Sequence, residues 1–234
     1  MKVRSNMTEM IRPLVLIPAA GFGRRVGSPH AKELLLGPDN NPMIDYPIQQ
    51  ALKRDWPVLV ITRPQKIELV NHLKEKWGFG LDKNRQLMFI NESTEWPDTL
   101  LQSHSLWLDW NMVLLPDVSY QPLDILDQML EKLNSNTDGV VASHSVPPDQ
   151  SVKWGFLNPH QKGLWLAEKP SHLLKAEDQA WGIYCFHRRI GQPLLQAQLQ
   201  HTLRCAEQEW SFHPWNLAQV FLHSFEDLTR GGSK

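Results

Sequence analysis

Only two cysteines, Cys185 and Cys205, occur in 234 residues. That is too few for a disulfide framework and fits a reducing compartment. Neither sign of charge is in excess, with 24 lysines and arginines against 25 aspartates and glutamates. The basic footprint of a nucleic-acid binder is therefore missing, and no nucleic-acid partner is expected. Long apolar runs are missing too. No window approaches the about 18 uninterrupted apolar residues of a membrane helix, and the run at 14–17 is shorter than a signal-peptide core. Ten histidines are scattered without H-E-x-x-H or C-x-x-C spacing, so structural zinc is not expected. Internal repeats, low-complexity tracts and linkers are absent as well. The remaining expectation is a soluble, cytoplasmic protein with no membrane partner. Its single domain would span 13–230, with flexible ends at 1–12 and 231–234.

Against these absences stands one dense segment. The apolar run Leu14-Val-Leu-Ile17 empties through Pro18 into Ala19-Ala20-Gly21-Phe22-Gly23-Arg24-Arg25, and Lys32 follows seven positions later. Gly21, Gly23 and Gly27 let the backbone approach a ligand closely. Consecutive N–H groups in such a turn form an anion-binding concavity, and Arg25 and Lys32 add cations. The segment reads as a triphosphate cradle. A dinucleotide-binding turn is disfavoured because Val26 stands where the third glycine of G-x-G-x-x-G belongs, and the later ribose-binding acid is missing. No G-x-x-x-x-G-K-[ST] run occurs, which removes the ATPase P-loop.

Strands and helices alternate through the first two-thirds of the chain. Strands are expected at 13–18, 57–62, 86–90 and 112–115, and helices at 42–54, 65–77, 98–109 and 122–133. That order predicts parallel strands joined by right-handed helical crossovers. After 138, shorter runs at 139–142, 154–157, 164–167 and 182–186 predict further strands, some antiparallel. Helices near 190–203 and 214–222 close the chain. Ligands of such sheets bind beyond the carboxyl ends of the strands. Asp117 ends one strand, in Leu114-Leu-Pro-Asp117, as the cradle ends another. A carboxylate there can hold Mg2+ beside phosphates, or can simply cap a turn. Most of the ten tryptophans read as core and rim packing. Trp96, Trp154 and Trp181 stand out because they flank the motifs described next.

Several segments fall in the order of a known family. They are Pro18-Ala-Ala-Gly-Phe-Gly-Arg-Arg25, Lys32, Leu34-Leu35, Pro42-Met-Ile44, Pro97-Asp-Thr-Leu100, Leu115-Pro-Asp117, Lys153-Trp-Gly-Phe156, Ala167-Glu-Lys-Pro170 and Trp181-Gly-Ile-Tyr184. Together, over residues 13 to 190, the chain resembles the sugar-1-phosphate nucleotidyltransferases, particularly the glucose-1-phosphate thymidylyltransferase type. The resemblance implies a three-layer α/β Rossmann-like nucleotidyltransferase domain with a mixed, mainly parallel central sheet. It also implies Mg2+-assisted transfer of a nucleotidyl group from a nucleoside triphosphate to a sugar 1-phosphate, with release of pyrophosphate.

The same resemblance distributes the roles. Arg25, Lys32 and Asp117 are catalytic. Ala19, Ala20, Gly21, Gly23, Arg25, Pro97 and Thr99 bind the nucleotide. Gly155, Glu168, Lys169, Trp181 and Gly182 bind the sugar phosphate. Asp117 and Asp227 hold Mg2+, with Glu226 as the rival for the second place, and a homo-oligomer is left open. Arg24, Ala31, Thr99 and Val118 depart from the family pattern. Two rival readings stay open. One is a cytidylyltransferase acting on phosphocholine or another small phosphorylated alcohol. The other is a nucleotide-binding or regulatory protein that has lost catalysis.

Overall fold

The computed structural model describes residues 11–21, 31–37, 39–80, 86–90, 93, 95–118, 120, 123–133, 137–145, 155–157, 166–168, 179–205 and 220–224. Strand β1 (Leu14–Pro18), β2 (Val58–Thr62) and β4 (Trp110–Leu114) are apolar and buried along almost their whole length. Such continuous runs mark strands covered on both faces, the normal state of a parallel sheet flanked by helices. With β3 (Gln86–Ile90) they stand in the order β3-β2-β1-β4, all parallel.

The helices between them follow ordinary boundary chemistry. Helix α1 (Asp45–Lys53) carries Pro47 in its first turn and buries Ile48 and Ala51. Proline is tolerated there because its missing N–H is an orphan in any case. Helix α2 (Ile67–Trp77) buries Leu69 and Leu73, one turn apart, and ends at Gly78 with φ 69. That left-handed cap is where glycine is least strained. Helix α3 (Trp96–Leu101) is shorter than the expected 98–109. A 3-10 turn at His104–Leu106 replaces its second half. Helix α4 covers Ile125–Glu131.

The second half of the sheet turns antiparallel. β8 (Gln179–His187) lies against β4 and against β5 (Gly139–Ser145), and β9 (Val220–Ser224) closes the edge beside β5. A short ladder of β6 (Gly155–Leu157) and β7 (Leu166–Glu168) attaches to β8 where Phe156 faces Ala180. Strands β1 to β5 all run one way, so the sheet is mixed but mainly parallel, as expected. Helix α5 (Arg188–Cys205) follows β8 directly. The end of the chain differs from expectation. Residues 220–222 belong to a strand rather than to a helix over 214–222, because Val220, Phe221 and Leu222 pair with His144, Ser143 and Ala142 of β5. A short apolar run fits either state, and here the long-range ladder decides.

Alternation along the strands sorts the core into two layers. Val15, Ile17, Val58, Val60, Met112 and Leu114 pack with residues of α1, α2 and α4. Leu14, Leu16, Leu59, Ile61 and Val113 pack with Leu100 of α3 and Leu194 and Leu195 of α5. Helices thus cover both faces, giving a three-layer α/β architecture.

Candidate active site

Because β1, β2 and β4 are parallel neighbours, the segments leaving Pro18, Thr62 and Leu114 emerge along one edge, with the β1 loop in the middle. Ala19 extends the ladder by donating its N–H to the Ile61 carbonyl at 2.7 Å, and both Ala19 and Ala20 are buried. Gly21 faces open space, since a Cβ there would meet nothing within 4 Å. Gly23 and Arg25 lie outside the described residues. The far flank of the loop is the 3-10 turn Lys32–Leu34. It is held to the next segment by Ile44 N–H on the Glu33 carbonyl and Met43 N–H on the Leu35 carbonyl, both 2.9 Å.

This flank meets the turn after β4. Lys32 Nζ donates to Asp117 Oδ2 at 2.5 Å, and each side chain keeps 27% of its exposure. Two residues 85 positions apart, both singled out in the sequence, therefore meet at the carboxyl edge. Tyr120 fixes the turn that carries Asp117. Its hydroxyl accepts the Leu115 N–H at 2.6 Å, and burial pushes its phenol upward, so it stays a neutral hydroxyl at any working pH.

Lys66 and Glu33 complete this half of the edge, and no sequence signal pointed to either. Lys66, the residue just before α2, donates to both Glu33 carboxylate oxygens and to the Ala19 carbonyl, each at 2.8 Å. Glu33 is completely buried, and the Lys66 side chain keeps 9% exposure. Burial draws the Lys66 ammonium below its usual range, against the opposing pull of Glu33.

The expected base loop lies across the sheet. Pro97 and Thr99 are buried in the first turns of α3. Thr99 turns its hydroxyl back onto the Glu95 carbonyl at 3.0 Å. The buried Arg63, leaving β2, donates to the Ser93 carbonyl at 2.5 Å and fastens that loop to the β2 end. Trp96 sets its ring edge-on to Tyr184 of β8, with centroids 6.1 Å apart.

Of the expected sugar-phosphate residues, Gly155, Glu168, Trp181 and Gly182 are linked through backbone register. Gly155 faces Glu168 across β6 and β7, and the next pair on β6 reaches Ala180 of β8. Trp181 and Gly182 follow on β8, just beyond Ile183, the partner of the last β4 residue. They therefore sit at the same edge as Asp117. The register slips between Ala142 and Ser143, so Gly182 is the unmatched residue of a β-bulge. Bulges re-aim strands next to sites. Lys169 and Asp227 lie outside the described residues. Among the described residues no group of three or more His, Cys, Asp or Glu could hold a metal. Asp117 alone still offers a hard oxygen donor beside the turn that leaves β1, a donor type that suits Mg2+ when phosphates supply the other ligands. No helix among the described residues is long and apolar enough to cross a membrane.

Comparison with known proteins bears on the family and the fold. The family model described as nucleotidyl transferase matches residues 14–214. Among solved structures, one described as a glucose-1-phosphate thymidylyltransferase from Bacillus anthracis, in complex with a sucrose, is 15% identical with a TM-score of 0.60. The match covers 93% of each chain. At that identity the likeness speaks for the fold. No curated protein matches the chain in sequence.

Proposed function

This chain belongs to the nucleotidyl transferase family, and on that premise we propose that it joins a nucleoside triphosphate to a sugar 1-phosphate, releasing pyrophosphate. One observation carries the reading. Lys32, on the flank of the phosphate loop, contacts Asp117, at the end of the neighbouring strand. A cation for the triphosphate and a carboxylate for its metal thus share one edge.

The acceptor's phosphate oxygen is already anionic, so in-line attack on the α-phosphorus needs no general base. Catalysis then rests on positioning and charge stabilisation. In this reading the backbone of Ala19, Ala20, Gly21 and Gly23 lines the triphosphate. Arg25 grips the departing pyrophosphate, and Lys32 moves from Asp117 to the α-phosphate. Asp117, with Asp227 as second carboxylate, would hold Mg2+, which supplies charge neutralisation between the phosphates when bound. The loop at Pro97 and Thr99 takes the base. Gly155, Glu168, Lys169, Trp181 and Gly182 take the acceptor, all within one catalytic domain over 13–230.

The decisive experiment is pyrophosphate release from ATP, CTP, GTP, UTP and dTTP, each paired with sugar 1-phosphates and with phosphocholine. We expect Mg2+-dependent release with a sugar 1-phosphate. Asp117→Asn should cut turnover by about 10²–10³-fold, as loss of a single transition-state stabiliser does. Silence across the panel, with no triphosphate raising the Tm, would sink the proposal. Release with phosphocholine alone would move the acceptor to the small phosphorylated alcohols.

A further inference from the structure

We infer that Lys66 and Glu33 are positioning residues for triphosphate binding, forming a buried strut that holds both flanks of the phosphate loop at a fixed separation. The inference rests on the proposed function and extends it to residues that touch no substrate.

An ammonium has three N–H donors. Those of Lys66 go to Glu33 Oε1, Glu33 Oε2 and the Ala19 carbonyl, each at 2.8 Å. Ala19 is the first residue of the loop, and Glu33 directly follows Lys32 at its far end. The single cation therefore ties the entry of the loop to its exit. It also places the main chain that carries Lys32. Because Lys66 sits between β2 and α2, the strut hangs the loop on a third, rigid part of the sheet edge.

Stability alone does not account for such a device. Taking both charges out of water costs what their attraction returns, and well-packed apolar replacements often match a buried ion pair. Desolvation draws the Lys66 ammonium below its usual range, in line with that cost. An apolar pair of similar volume could fill the space. It could not reach the Ala19 carbonyl with a donor, nor offset the nearby cations Lys32 and Arg63, which also act on Lys66. Loop ends already held at a fixed separation leave less entropy to lose when ligand arrives. The strut thus acts on triphosphate affinity.

The test measures affinity for ATP, CTP, GTP, UTP and dTTP with Mg2+ by calorimetry, alongside the Tm. Lys66→Met leaves Glu33 buried and unpaired, so it loses both stability and affinity. The informative variant is the double replacement Glu33→Leu with Lys66→Met. Its Tm is expected near that of the parent, while the tightest-binding triphosphate weakens by about tenfold and KM for the acceptor is unmoved. Asp45→Ala, which removes a buried carboxylate outside the loop, is expected to lower the Tm without changing that affinity. Parent-like triphosphate affinity in the double variant overturns the strut and leaves the proposed function standing. Failure of the parent to bind any of the five overturns both. Should the double variant not fold, Glu33→Gln carries the same comparison. It keeps the shape and one acceptor for Lys66, weaker binding is expected, and unchanged binding overturns the strut.

Discussion

Two carboxylates, Glu33 and Asp45, are completely buried among the described residues, and they serve different regions. Glu33 stands at the carboxyl edge of the sheet and, through Lys66, joins the two flanks of one loop. Asp45 opens α1 and accepts from α2. Lys76 Nζ lies 2.9 Å from Oδ2, Trp77 Nε1–H donates to Oδ1 at 2.6 Å, and His72 Nε2 is 2.7 Å from Oδ1. Residues 72, 76 and 77 lie in the last two turns of α2. They end about 16 Å beyond Lys66 at 1.5 Å per residue. Asp45 therefore staples helix to helix, whereas Glu33, through Lys66, ties together the two ends of one loop. The lesson is that burial and charge do not by themselves mark a functional residue. What the group is tied to decides its role.

Removing Asp45 is the hardest test of that contrast. Asp45→Ala strands the Trp77 N–H, and it leaves Lys76 and His72 to turn partly toward solvent. A loss of about 2–3 kcal/mol in chemical denaturation is expected, below the cost of a fully enclosed pair because Lys76 is 39% exposed. Kinetic constants should stay put. A rise in KM for the triphosphate would break the contrast, since the helix staple would then also govern the loop.

The same contrast recurs between two glycines. Gly191, near the start of α5, has no room for a side chain, since a Cβ would stand 2.5 Å from the rings of Phe186 and Trp107. Those rings already pack edge to face, with centroids 5.2 Å apart. Gly191→Ala should destabilise by about 2 kcal/mol, the usual penalty of overpacking, with little effect on KM. At the carboxyl edge, a Cβ on Gly182 would meet only the Ala142 carbonyl at 3.9 Å, an ordinary contact. Gly182→Ala should thus change stability by no more than about 0.5 kcal/mol. If a sugar 1-phosphate approaches that backbone, KM for it should rise severalfold with the triphosphate KM constant. Parent-like kinetics would remove Gly182 from the acceptor side.

What could be read from the sequence follows the range of the interactions. β1, the loop after it and the turn at Asp117 were readable because each is a local signal: an apolar run, a glycine-rich turn, an acid after a strand. Their meeting followed from parallel topology, and Lys32 on Asp117 is its direct expression. Gly155, Glu168, Trp181 and Gly182 were readable through their resemblance to family motifs, although the bulge that frees Gly182 from pairing is a matter of register. The Glu33–Lys66 strut was not readable. A lysine and a glutamate 33 positions apart look like surface residues, and only the packed edge buries them. Tyr120 was missed likewise, as one tyrosine after an apolar strand carries no motif. The end of the expected helix at 214–222 failed at residues 220–222 because Val220–Ser224 is decided by its partner strand β5; 214–219 lie outside the described residues.

The smallest expected effect concerns a half-buried group whose surroundings favour its neutral form. His144, on β5 opposite Ala180 of β8, is shifted downward by desolvation, so the fold favours its neutral ring. In the unfolded chain the ring titrates near 6.5. Between the two values the unfolded state binds more protons, so stability falls as pH drops. The contribution is fully present above about pH 6.5 and is lost as pH falls below it. Tm measured from pH 7.5 to 5.5 should therefore decline more steeply in the parent than in His144→Gln. Equal slopes would show that β5 tolerates the imidazolium. That would put the antiparallel half on the same footing as the Glu33 edge, where buried charge is accommodated by design of the partners rather than avoided.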